Sequence, residues 1–180
     1  MPPFARMTVA VAAVLAVAGC ATTNIRSYME RGSDVGSYRT YAWGPPAVQT
    51  TGDPRLDNNQ FFQDRVQAAV ELQLAARGFE RNITAPDLLV RYYASVEQQV
   101  NADGADRPYV SCDDCRPFVF DAGTIVVDLI DARTKRLVWR GWEEGSIDGA
   151  IANQSWMEKR IDQAVARIIE QLPRRIGRVS

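Results

Sequence analysis

The stretch "GTIVVDLIDARTKRLVWRGWEEGS", residues 123–146, decides the fold. Its first part is β-branched and alternates. Ile125, Val127 and Leu129 fall on one face, and Thr124, Val126, Asp128 and Ile130 on the other, because successive side chains of a strand point to opposite sides. A turn lies near Ala132 to Lys135, and Leu137 to Glu143 returns. The pattern predicts an antiparallel hairpin with one apolar face to cover.

Working outward, "DLLVRYYASVEQQV" (residues 87–100) predicts a long strand with Leu88, Val90 and Tyr92 on one face. Residues 101–117 carry Gly, Asp, Pro and two Cys and read as a loop. "YRTYAW" (residues 38–43) is aromatic and β-prone, and Gly44-Pro45-Pro46 ends it. "NIRSYM" (residues 24–29) carries a weaker strand signal inside a polar tether of residues 20–37. Two helices complete the chain. Phe62, Val66, Ala69, Val70 and Leu74 recur at helical spacing, after an Asp57/Gln60 capping box and before a stop at Gly78. Met157, Ile161, Val165, Ile168 and Leu172 form the second stripe, after a Ser155/Glu158 capping box and before Pro173. Each helix has one apolar stripe, so each packs on one side only. The expected fold is α+β: a mixed, mostly antiparallel sheet of four to five strands in the order β-α-β-β-β-α, with both helices on one face. Residues 38–173 form a single domain, and 174–180 a loose basic tail.

The N-terminus has a different character. Arg6 precedes a short apolar run ending in Val17-Ala18-Gly19-Cys20. The run is shorter than the roughly 20 residues that span a bilayer and has the layout of a secretory signal. Its end resembles a bacterial lipobox. That resemblance implies cleavage between Gly19 and Cys20, removal of residues 1–19 and lipid attachment to Cys20. Ala21, rather than Asp, follows the cysteine. By the same resemblance this implies sorting to the periplasmic face of the outer membrane, with the lipid on Cys20 as the membrane contact.

Together "YRTYAW", "DPRLD", "LAARGF", "DLLVRYY" and "GTIVVDLIDARTKRLVWRG" resemble the bacterial lipoprotein family catalogued as domain of unknown function 4136, over roughly residues 25–172. The resemblance implies a fold and a place. It implies no reaction, and it does not extend to the Cys112/Cys115 pair.

Composition narrows the function. The net charge of −1 becomes −2 when the leader, whose only charged side chain is Arg6, is removed. No basic face for nucleic acid is expected at that balance. The chain has no His and so lacks the commonest general base and the commonest transition-metal ligand. No metal or cofactor is expected. Asp53, Asp57 and Asp64 suit a turn, a helix cap and a polar helix face better than acid/base work. Cys112 and Cys115 are spaced for a redox site, half a metal site or a small disulfide loop. Asp113 and Asp114 between them disfavour a stabilised thiolate, and a zinc site wants four ligands. A structural disulfide is the expectation. Asp128 interrupts an apolar run on the face opposite Ile125, Val127 and Leu129, where Arg140 lies across the hairpin. An exposed ion pair there contributes about 0–1 kcal/mol; a polar spot on a binding face is the functional alternative. Trp139 and Trp142 are three apart and point to opposite faces, one into the core. The other, with Tyr93 or Tyr41, either serves simple sheet packing, the more ordinary role, or leaves an aromatic patch on the helix-free face. Asp128, Arg140 and Trp142 are therefore the candidate binding face. The expected role is a structural or interaction module of the envelope, with envelope proteins or peptidoglycan as partners. The alternative is an envelope enzyme, either a thiol-disulfide protein using Cys112 and Cys115 or a carboxylate-dependent hydrolase.

Overall fold

The hairpin is the centre of the sheet. β5 (Phe118–Asp131) and β6 (Leu137–Ser146) pair antiparallel, with Ile125 opposite Glu143, Val127 opposite Gly141 and Asp128 opposite Arg140. The turn is fixed by Asp131, whose carboxylate accepts the backbone N–H groups of Arg133 (2.9 Å) and Thr134 (2.6 Å). The computed structural model describes residues 23–45, 50–57, 59–101 and 118–173. Around the hairpin lie β1 (Asn24–Met29), β2 (Thr40–Trp43), α1 (Gln60–Ala76), β3 (Glu80–Arg81), β4 (Leu88–Asn101) and α2 (Gln154–Glu170). The strand order is β1-β6-β5-β4-β2-β3. The first four are antiparallel neighbours, while β2 runs parallel to β4 and β3 parallel to β2.

This is the expected α+β fold, with a sixth strand in the two-residue β3. Val66, Val70 and Leu74 of α1 and Val165 and Ile168 of α2 share one core with Val90, Val127 and Leu129 of the sheet. The stripes thus fall where helical periodicity put them. So does the stop of α1: Gly78 takes φ 77°, the N–H of Phe79 bonds to the Leu74 carbonyl and that of Gly78 to the Ala75 carbonyl. These are the two bonds of a Schellman cap, which needs a residue without Cβ strain at that position.

Four expectations are corrected. The described part of the expected tether, residues 23–37, is largely folded: β1 pairs along its length with β6, and Val35 is buried. β1 reads as polar because an edge strand buries little, and its partner lies more than a hundred residues away. The α1 cap is Asn59, whose side chain accepts the N–H of Phe62, while Asp57 binds the N–H and hydroxyl of Thr51. The α2 cap is Asn153, accepting the N–H of Trp156, rather than Ser155. Tyr41 lies in the core, 3 % exposed. Gly19, Cys20, Cys112, Cys115 and the tail 174–180 lie outside the described residues.

Two carboxylates tie strand ends together. Asp87 accepts the N–H groups of Arg39 (2.7 Å) and Thr40 (2.9 Å). The first of these, then the second, holds its pKa below the usual aspartate value. Backbone donation from Thr134 does the same for Asp131. A lowered native pKa means that the unfolded chain binds more protons, so stability present at neutral pH is lost as pH falls through the native values. Thermal melts should therefore show an acid limb below about pH 4. Asp87→Ala should make that limb shallower; an unchanged slope would remove Asp87 from it.

Candidate functional site: the helix-free face of the sheet

Alternation and register place two sets of side chains on the face opposite the helices. One row runs Tyr28 (β1), Arg140 (β6), Asp128 (β5), Arg91 (β4); the next runs Arg26, Trp142, Val126, Tyr93. Arginine and aromatic residues thus alternate across four strands. Tyr28 is 48 % exposed; Trp142, Tyr93, Arg91 and Arg140 are half-buried.

Asp128 is the fixed point. Arg140 grips it with two parallel hydrogen bonds, Nε to Oδ1 at 2.6 Å and Nη2 to Oδ2 at 2.7 Å. The bond to Asp128 raises the Arg140 pKa further. The carboxylate side chain is 3 % exposed and the guanidinium side chain 43 %. This is not the exposed pair of a simple surface hairpin: the carboxylate is covered, while the Arg140 side chain stays partly in solvent. Such a bidentate grip fixes a guanidinium geometrically. Arg91 lies opposite Asp128 on its other side, and its buried Nε has no hydrogen-bond partner. Of the residues expected here, the structure brings Asp128, Arg140, Trp142 and Tyr93 onto one face. Arg91, Arg26 and Tyr28 were missed. Arg91 had a signal, since it interrupts "DLLVRYY" at the parity of Leu89 and Tyr93.

Three other carboxylates, Asp53, Asp64 and Glu143, are each held by a hydrogen bond. Asp53 is buried and bonds to Arg55, which lowers its pKa; Asp64 accepts from Gln60. Glu143, on the helix side, is gripped by Arg167 through two hydrogen bonds, with Arg160 at 4.0 Å. Beside it, between α2 and the sheet, is an apolar cleft bounded by Phe62, Ile125, Met157 and Ile161, with about 60 Å³ of free space. That is room for a few waters. Among the described residues no group of three or more His, Cys, Asp or Glu converges as metal ligands would.

A family model described as "Domain of unknown function (DUF4136)" matches residues 25–174. No curated protein matches. Among solved structures, the chain is similar to a PDZ domain protein from Parabacteroides distasonis, with TM-score 0.57 and 16 % identity. The match covers 83 % of this chain and 35 % of that one, so the chain spans about a third of that protein's length. A PelC dodecamer from Paraburkholderia phytofirmans matches at TM-score 0.44 and 11 % identity, over 82 % of this chain and 94 % of that one. A minor lipoprotein from Acinetobacter baumannii matches at TM-score 0.41 and 12 % identity, over 74 % and 91 %. At these identities the likeness of the first concerns the fold alone.

Proposed function

We propose that this chain, which belongs to the DUF4136 family, is a cell-envelope lipoprotein whose helix-free sheet face binds an envelope partner. Anchoring is supported by Val17-Ala18-Gly19-Cys20 and the short apolar run before it. Ala21 supports the outer membrane. Two or three acyl chains, at about 0.8 kcal/mol per buried CH₂, hold a domain stably. Among the described residues no helix is long and apolar enough to cross a membrane. Cys20→Ala should end lipid labelling and release the protein to the soluble fraction. An unchanged membrane fraction would put the anchor elsewhere.

Binding is carried by one observation: Arg140, held rigid by a covered Asp128, stands among Arg91, Arg26, Trp142, Tyr93 and Tyr28 on the face that no helix covers. Arginine donors already oriented lose little freedom on binding, and flat aromatic surfaces between them suit contact with a partner. The partner chemistry that fits presents carboxylate or hydroxyl oxygens, as an envelope protein or peptidoglycan does. Binding rather than catalysis is favoured because Asp53, Asp64, Asp128 and Glu143 each serve a structural bond. A photo-crosslinking residue at position 142 should trap a specific partner in cells, and one at the exposed Leu72 of α1 should not. Equal trapping at both positions would remove the sheet face as the contact.

A further inference from the structure

We infer that the end of the domain bearing Val100, Val119 and Trp156 lies in the interfacial layer of the membrane, as a second contact beyond the lipid; this rests on anchoring through Cys20. The leash between lipid and domain is short. Thr23 is the first described residue, and it packs at β6: a Cβ on Gly145 would stand 3.0 Å from the Thr23 Cγ2. β1 starts at Asn24, four residues from Cys20. Fully extended, four residues reach at most about 14 Å. The domain therefore cannot stand off from the bilayer, and the end that holds Asn24 is the near one.

At that end, among the described residues, β4 and β5 project beyond β1 and β6. Asn24 is level with Glu144, Thr124 and Ser95, and the two strands continue five residues further to the pair Val100–Val119. At 3.3 Å per residue that is about 17 Å, longer than the leash. With the strands directed at the membrane, this arm reaches the lipid before the leash is taut. Its exposed side chains include the apolar Val100 (62 %) and Val119 (61 %), beside the polar Glu97 and Gln98. Trp156, 59 % exposed at the start of α2, belongs to the same end. Its ring packs beside Gly149, in the turn that bonds to the base of the arm through Asp121 and Ile147. A tryptophan with one face wet and one apolar is typical of the headgroup layer. Asp121 and Asp148 lie at this end too, the Asp148 carboxylate accepting the Asp121 N–H and the Ser146 hydroxyl. With Glu97, Asp121 and Asp148 at this end, the contact is shallow and has no attraction to anionic lipid.

The test uses the full-length protein in isolated membranes, with Cys112 and Cys115 changed to Ser and a single reporter cysteine at 100, 119 or 83. Ile83 is 78 % exposed and lies in the loop after β3. An environment-sensitive fluorophore at each position is challenged with a lipid-borne bromine quencher. Quenching at 100 and 119 should exceed that at 83 at least threefold and should not change between low and high salt. Equal quenching at the three positions overturns the inference. So does protection of 100 and 119 from both lipid and aqueous quenchers, which would mark a protein interface instead. Failure of the anchor is distinct: it leaves the protein in the supernatant.

Discussion

Val165→Asp should abolish the native fold, and Val66→Asp should do the same. Both side chains are fully buried in the core between helices and sheet. Val66 and Val70 of α1 and Val165 and Ile168 of α2 meet Val90, Val127 and Leu129 there. That cluster is made of hydrophobic side chains. Burying an unpaired charge costs several kcal/mol, against a total stability of about 5–15 kcal/mol for an ordinary domain. Neither variant should accumulate as folded protein or give a cooperative thermal melt. Leu72→Asp is the control. It changes the same helix to the same residue, but at a position 68 % exposed, and should shift stability by no more than about 0.5 kcal/mol. A normal melt for Val66→Asp would mean that the face of α1 assigned to the core is in solvent.

The positions in that experiment were legible in the sequence because a helical stripe is a local pattern. So was the Asp128–Arg140 pair, since a hairpin's register follows from its own turn. The elements that were not legible depend on distant partners. β1 gave only a weak strand signal inside a stretch read as tether, because it holds its place through β6 and only Ile25 is partly covered. β3 is two residues long and exists because β2 offers it an edge. β5 starts at Phe118, five residues before the apolar run that announces it. The caps failed for a different reason. Asp57, Asn58 and Asn59 are all competent N-caps, as are Asn153 and Ser155. Which one closes the helix depends on where the chain enters it, and no spacing rule encodes that. At the site, Arg91 joined Asp128 only when the β4–β5 register was known.

The largest feature that spacing did not suggest is the buried carboxylate of Glu143. It sits on β6 at the parity of Trp139 and Gly141, so it faces the helices. Its side chain is 1 % exposed, and Arg167 of α2 forms the pair, with its own side chain 32 % exposed. The bond to Glu143 raises the Arg167 pKa. Arg167→Met should therefore be strongly destabilising, by about 3–5 kcal/mol, since it leaves a buried charge with Arg160 only at the limit of contact. The double variant Glu143→Met/Arg167→Met should recover most of that loss. A buried pair replaced as a whole by apolar residues of similar size is often neutral or better. Denaturant melts of the wild type, both single variants and the double variant give the cycle. Recovery in the double variant assigns the loss to an orphaned charge. A double variant as unstable as Arg167→Met would instead mean that the pair contributes net stability, and that α2 is held on the sheet by charge as well as by its apolar stripe.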